Sequence, residues 1–151
     1  MAPGDRIGGY ELVAEIAVGG QGRVWRATGP GGHVVALKAM RNELAADETA
    51  RRRFLRETRA AMSVLHGNLL RGIDAGEDGG VLWIASELAD GGSLKDRLAR
   101  GAMPIDEALA LAQAVLAALA AVQDRKSTRL NFSHSSSSYA VFCLKKKNRQ
   151  N

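Results

Sequence analysis

Residues 17–38 read AVGGQGRVWRATGPGGHVVALK, and this stretch decides the fold. A glycine-rich loop over 17–22 leads into a strand-like segment over 23–27. A turn signal then precedes a second strand-like segment that ends in Lys38. Glycines have no Cβ, so the backbone N–H groups of such a loop can approach a phosphate closely. The pattern therefore predicts a phosphate-binding loop and a lysine carried on adjacent antiparallel strands.

By itself a glycine-rich loop is weak evidence, because an ordinary glycine-rich hairpin turn has the same composition. A dinucleotide-binding fingerprint requires a helix directly after its last glycine, whereas residues 23–27 form a strand pattern that ends in Gly-Pro-Gly-Gly. A Walker loop requires Gly-Lys-Ser/Thr, and the sequence contains no such tripeptide. What remains is a loop, structural or phosphate-binding, that joins two antiparallel strands.

The rest of the chain predicts an α+β fold. Strand patterns are followed by helix patterns, with a single early helix among the strands. The expected strands are 10–16, 23–27, 33–39, 69–75 and 81–86, and the expected helices are 47–65, 93–100 and 108–122. The second helix begins with a capping box at Ser93. The third is apolar almost all round, which is typical of a buried helix.

In this order and spacing the sequence resembles the protein kinase family, specifically the bacterial serine/threonine kinases of the eukaryotic type. The resemblance covers roughly residues 9–123. It implies an N-terminal leader over 1–9 and a kinase small lobe with its hinge over 10–92, built from a five-stranded antiparallel sheet and one helix. It also implies the first helices of the large lobe over 93–123. The segments that carry it are Gly9-Tyr10, the glycine loop, Val35-Ala36-Leu37-Lys38, Phe54-Leu55-Arg56-Glu57, His66-Gly67-Asn68 and Glu87 to Leu94.

The resemblance implies that the ligand is ATP and assigns residues to it. Lys38 would contact the α and β phosphates and be held by an ion pair with Glu57. The alternative is a solvated strand lysine and an exposed helix carboxylate. The loop covering the phosphates would be Ala17, Val18, Gly19, Gly20, Gln21 and Gly22, and the adenine would lie among Ile16, Val24, Ala36, the gatekeeper Ser86 and the hinge residues Glu87 and Ala89. Ala17 and Gln21 depart from the family's usual glycine and aromatic or Met, which predicts weaker closure over the nucleotide.

After Gln123 the sequence contains neither the His-Arg-Asp nor the Asp-Phe-Gly that the family would supply. Residues 124–131 back-translate to GAT CGG AAG AGC ACA CGT CTG AAC. Residues 124–151 thus resemble a translated sequencing adapter that follows a truncated kinase; the alternative is a natural basic Ser/Lys-rich linker. We therefore expect no catalysis from this chain alone, and Mg²⁺ binding only in the intact parent. A non-catalytic pseudokinase module is the alternative function.

Charge and apolar patterns bear on the remaining partners. Seven of the 21 basic residues but one of the 16 acidic residues lie in 124–151, so the net charge of +5 belongs to that segment. We therefore expect no nucleic-acid partner for the domain. The apolar stretch 108–122 is interrupted by Gln113, so we expect it to be too short to span a bilayer. The single cysteine, Cys143, fits a reducing compartment and a cytoplasmic location, with a membrane anchor elsewhere in the parent left open. The expected partners are ATP and a protein substrate.

Overall fold

A computed structural model of the chain describes residues 1–20, 22–40 and 48–127, with side chains described up to Asp124. Within them, the strands form one antiparallel sheet in the order β1-β2-β3-β4-β6-β5. The strands are β1 (Arg6–Ile7), β2 (Tyr10–Gly19), β3 (Gly22–Thr28), β4 (Val34–Met40), β5 (Gly72–Asp78) and β6 (Val81–Glu87), and the helices are α1 (Glu48–Met62), α2 (Leu94–Ala99) and α3 (Ile105–Ser127). The α+β fold class predicted from the sequence is confirmed.

The sheet has one more strand than expected, because β1 lies within the segment 1–9 that was assigned to a leader. β1 pairs with β2 across the Gly8-Gly9 turn, where both glycines have positive φ, 57° and 84°. A two-residue turn with this backbone matches the natural twist of a hairpin. The Gly8 N–H donates to Asp78 Oδ2 at 2.8 Å, which ties the turn to the end of β5. Arg6 and Ile7, within the segment 1–9, thus belong to the sheet.

Alternation along residues 35–39 of β4 separates the core from the opposite face of the sheet. Val35, Leu37 and Ala39 are buried, whereas Ala36 and Lys38 between them are half-buried. Because successive strand residues point to opposite faces, Lys38 lies on the face opposite the core. Other buried members of this core are Tyr10, Leu12, Trp25, Ala27, Trp83 and Ala85.

Helix α1 is attached to strand β5. Its Phe54 is buried, Arg51 forms an ion pair with Glu77 at 3.2 Å, and the Arg59 guanidinium donates to the Ala75 carbonyl at 3.1 Å. The helix begins and ends close to the positions that the sequence predicted. These contacts hold α1 against β5 and so fix the position of Glu57, which lies on this helix.

The chain divides into two compact units, residues 1–63 with 71–88 and residues 64–70 with 89–151. In the second unit, the Ser93 hydroxyl accepts from the Asp96 N–H at 3.1 Å, so the capping box predicted for α2 is present. The hydrogen bonds from Ser93 lower the pKa of the Asp96 carboxyl. The Asn68 side chain donates to the Ala114 carbonyl of α3 at 3.2 Å.

Helix α3 has the apolar pattern typical of a buried helix, but in this chain most of it is exposed. Of its described side chains only Ala118 is buried, while Ile105 and Leu116 are 79% and 64% exposed. The helix is apolar on most of its circumference, and α2 with residues 64–70 covers only a small part of it.

The expectation that this stretch is too short for a bilayer is wrong. By length and apolar composition alone, the segment Ile105–Asp124 could span a bilayer. Since core helices of soluble proteins pass the same criteria, the segment is weak evidence for a membrane span. The backbone of α3 continues to Ser127, past the boundary expected at residue 123. The prediction for the basic tail otherwise falls outside the described residues.

Candidate nucleotide-binding site

The glycine-rich loop is the turn of the β2–β3 hairpin. The last cross-strand pair is Gly19 opposite Gly22, and residues 20–21 connect them. A Cβ on Gly22 would lie 2.1 Å from the Ala39 carbonyl oxygen, so β3 and β4 can approach here only because residue 22 is glycine. A Cβ on Gly20 would meet no atom within 4 Å. Gly22 therefore has a packing role, whereas the space beside Gly20 is open. Gln21 lies outside the described residues.

Two β-bulges in β2 shift its register against β3. One lies between Leu12 and Ala14, and the other between Glu15 and Ala17, so Val13 and Ile16 are the extra residues. A bulge bends the strand and changes the direction of its side chains. The Ile16 side chain, assigned above to the adenine, is 50% exposed. The bulges were not predicted from the alternation of the sequence, because no particular residue type marks the extra residue of a bulge.

Lys38 and the glycine loop line one pocket. Cross-strand pairing sets Ala17 opposite Val24, Val24 opposite Lys38, and Lys38 opposite Ile84. Directly opposite residues of antiparallel strands share a face of the sheet, so this row lies on the Lys38 face. A pocket of about 280 Å³ opens there. Its lining residues are Ala17, Val18, Gly19, Gly20, Gly22, Val24 and Lys38, all of which belong to the set predicted from the sequence.

A second cross-strand row brings Ala36 next to Ser86. The two residues are directly opposite each other on β4 and β6, and both are half-buried. The Ser86 hydroxyl donates to the carbonyl of Glu87 at 3.3 Å. The row adjoins that of Lys38, two residues along β4. The structure therefore places the predicted gatekeeper beside the predicted adenine contact on the Lys38 face of the sheet.

Glu87 ends β6 with its side chain engaged by Arg71. The carboxylate accepts the Arg71 N–H at 3.2 Å, and the Arg71 guanidinium lies 3.9 Å from it. The backbone N–H of Glu87 also donates to the Arg71 carbonyl at 2.9 Å. These bonds hold Glu87, the first of the predicted hinge residues, against Arg71 in the segment before β5. Sequence reasoning did not identify this contact. Ala89 is exposed and belongs to the second compact unit.

Glu57 lies on α1 with its side chain only 14% exposed. Its carboxylate forms an ion pair with Arg53, one helical turn earlier, with 2.7 Å between Nε and Oε1. Sequence reasoning missed this partner, although the i, i+4 spacing of the two residues is visible in the sequence. The ion pair between Glu57 and Lys38 stays a prediction.

Comparisons with known proteins now decide the family. A family model described as protein kinase domain matches residues 10–128. This chain belongs to the protein kinase family. The membership of the protein kinase family predicted from the sequence is thus confirmed.

The relatives of this kinase chain are bacterial serine/threonine kinases. It is 36% identical over 123 residues to "Serine/threonine-protein kinase PknI" of Mycobacterium tuberculosis, covering 79% of this chain and 21% of PknI. It is 35% identical over 131 residues to PknF of the same species, covering 83% of this chain and 27% of PknF. The crystal structure of the PknI kinase domain matches with a TM-score of 0.75 and 35% identity, over 83% of this chain and 51% of that one. The chain thus spans about a fifth to a quarter of these relatives and about half of the solved kinase domain.

Proposed function

We propose that this chain carries the ATP-binding part of a serine/threonine protein kinase, whose full-length form transfers the γ-phosphate of ATP to Ser or Thr of a protein substrate. The observation that carries the proposal is the pocket in which the β2–β3 glycine hairpin and Lys38 meet. Loops of this kind bind phosphates through backbone N–H groups, and a lysine ammonium compensates the anionic charge. The family uses ATP generally, and its named relatives are kinases.

The residues present fit a nucleotide. A Cβ on Gly20 would meet no atom within 4 Å, so the space beside the hairpin is open to a phosphate group. Lys38 is half-buried, so its charge is less screened by water than that of a surface lysine. The small side chains of Ala36 and Ser86 lie in the neighbouring row and leave room for a flat aromatic base. The sheet thus offers a polar region for phosphates beside a less polar region for adenine.

The chain's own residues would bind and orient ATP without completing the transfer. Kinases use Mg²⁺ to neutralise phosphate charge, and the Asp-Phe-Gly motif with which the family binds it does not occur in this sequence. The sequence contains no His-Arg-Asp motif. Loss of a general base alone lowers a rate by about 10²- to 10⁴-fold. We therefore propose nucleotide binding for this chain and catalysis for the complete kinase, with the domain in the cytoplasm.

The test is the ATP affinity of the 151-residue chain, measured by isothermal titration calorimetry. Lys38→Ala removes the proposed phosphate contact and should weaken binding about tenfold or more, as expected for loss of a charge-assisted contact. Lys95→Ala is the matched control, because Lys95 is the other lysine before residue 124 and is exposed on α2. Its affinity should equal that of the wild type. Equal affinities for wild type and Lys38→Ala, or no ATP binding by the wild type, would refute the proposal.

A further inference from the structure

An ion pair joins β2 and β3 just before the glycine hairpin. The Arg23 guanidinium donates from Nη1 to Glu15 Oε2 at 3.0 Å. Glu15 lies directly opposite Trp25, two residues from Arg23 on β3, so the two charged side chains are diagonal neighbours. The register of β2 against β3 shifts between Glu15 and Ala17. The ion pair therefore bridges the β-bulge that precedes the hairpin.

This ion pair lies on the face of the sheet away from the pocket. Val24 is opposite Lys38, and both residues line the pocket. Because successive strand residues point to opposite faces, Arg23 points to the other face. Glu15 shares that face, since it is directly opposite Trp25 of the core. Neither of these two described side chains belongs to the pocket lining, so the pair acts on a ligand there through the backbone of the hairpin.

The end of β2 depends on β3 for its position. In the part of the chain that the structure describes, β1 pairs with β2 at Tyr10 and Glu11, and residues 13–19 have no strand on that side. A bulge disrupts the ladder locally, and its extra residue here is Ile16. Beyond the bulge, the pairs with β3 are those of residues 17–19. A side-chain bond across the bulge therefore adds a constraint where the backbone pairing is interrupted.

We infer that Glu15 and Arg23 are positioning residues that hold residues 17–19 of β2 on β3, and with them the hairpin whose backbone N–H groups bind the phosphates. The inference rests on the proposed function, because the hairpin receives its phosphates there. Without the ion pair, the end of β2 moves more freely about the bulge, and the N–H groups are less well preorganised for an anion. The side chains of Arg23 and Glu15 are 51% and 34% exposed, so we expect an effect of a few fold.

The charge of Glu15 separates positioning from simple electrostatics. ATP is an anion, so removal of a nearby carboxylate strengthens its binding if charge alone matters. Removal of the same carboxylate weakens its binding if the ion pair positions the hairpin. Glu15→Gln therefore changes the ATP affinity in opposite directions under the two explanations, whereas loss of the Arg23 charge lowers it under both.

The first test measures amide hydrogen exchange of the full 151-residue chain without nucleotide. The exchange rate of a backbone N–H reports how often its hydrogen bond opens. In Glu15→Gln and Arg23→Gln, peptides covering residues 15–25 should exchange about 1.5- to fivefold faster, the range expected for loss of a partly exposed ion pair. Arg52→Gln is the matched control, because it removes an arginine from another exposed ion pair, with Glu48 on α1, and should leave this rate unchanged. The double variant Glu15→Arg, Arg23→Glu restores an ion pair of reversed polarity and should return the rate to the wild-type value.

The second test compares the affinities for ATP and for adenosine by isothermal titration calorimetry. Adenosine lacks the phosphates that the hairpin binds, so Glu15→Gln should lower the ATP affinity about 1.5- to fivefold and leave the adenosine affinity unchanged. A general loss of structure would lower both affinities. Arg23→Lys keeps the positive charge and should stay close to the wild type in both tests. If Arg23→Gln does not fold, Glu15→Gln and the double variant decide the question.

Three results would overturn the inference: an unchanged exchange rate in folded Glu15→Gln, an ATP affinity of this variant equal to or above that of the wild type, or an equal change in Arg52→Gln. Failure of the proposed function gives a different result. If the wild type binds no ATP but Glu15→Gln exchanges faster, the ion pair holds the hairpin and the nucleotide role fails. If the wild type binds ATP and Glu15→Gln changes neither the exchange rate nor the affinity, the proposed function stands and the inference fails.

Discussion

The turn between β1 and β2 provides the sharpest test of the fold, through a comparison of Gly8→Ala with Gly9→Ala. Both glycines have positive φ, 57° and 84°, so either alanine forces an L-residue into the left-handed region. That strain costs about 1–2 kcal/mol for a residue with a Cβ. The surroundings of the two positions differ. A Cβ on Gly9 meets no atom within 4 Å, whereas a Cβ on Gly8 would lie 2.2 Å from a ring carbon of Trp83.

Trp83 has little room to move away from such a contact. It is 4% exposed, its ring lies 5.4 Å from that of Tyr10 in an edge-to-face arrangement, and a Cβ on Gly76 would also meet it, at 2.7 Å. Overpacking of this kind costs about 1–3 kcal/mol. Displacing the turn instead lengthens the bond from the Gly8 N–H to Asp78, and a bond to a charged acceptor contributes about 1.5–3 kcal/mol. Gly8→Ala should therefore destabilise by about 1–3 kcal/mol more than Gly9→Ala.

Urea unfolding followed by tryptophan fluorescence measures this difference. The chain has two tryptophans, Trp25 and Trp83, and both are buried in the sheet, so the signal reports on the unit under test. The free energy of unfolding is obtained by linear extrapolation for each variant. Equal losses of stability in the two variants would refute the reasoning, because they would show that the contact with Trp83 has no energetic consequence.

Two further predictions concern the hairpin and the core. Gly22→Ala should disrupt the glycine hairpin and lower ATP affinity, because its Cβ would lie 2.1 Å from the Ala39 oxygen. Gly20→Ala should leave the free energy of unfolding within about 1 kcal/mol of wild type, because its Cβ meets no atom within 4 Å. Calorimetry measures the ATP affinity of each variant, and urea unfolding measures its stability. Burial, together with the charge of Asp74, raises the pKa of Tyr10 above 10.0. The phenol ionises first in the unfolded chain, so its contribution to stability is complete below pH 10 and is lost as pH rises through the folded pKa. Tyr10→Phe should remove that alkaline loss, and identical pH profiles of unfolding free energy for the two proteins would contradict the assignment.

The sequence predicted the main strands and the position of Lys38 on the third of them correctly because both depend on local patterns. Alternation along 33–39 requires Lys38 to point away from the side that buries Val35 and Leu37. Glycines 19, 20 and 22 mark a hairpin turn by their backbone freedom alone. Ser93 and Asp96 identify the start of α2 by a three-residue spacing. In each case the deciding interactions lie within a few residues of one another.

Features that join distant residues were not predictable in this way. The bond from Gly8 to Asp78 spans 70 positions, and nothing in either residue identifies the other. The exposure of α3 does not follow from its apolar pattern, because an apolar helix is buried only where other elements cover it.

The sequence by itself determined the family through the resemblance of its motifs. It also determined the order of the elements and the place of Lys38 and the glycine hairpin in the sheet, since these follow from backbone preferences and short-range periodicity. The tertiary structure decided that Arg6 and Ile7 join the sheet, that two bulges shift β2, and that the turn at Gly8 is bonded to Asp78. The physical reason is that a side chain's partner depends on free-energy differences between alternative contacts. Those contacts exist only once the sheet and α1 have packed together.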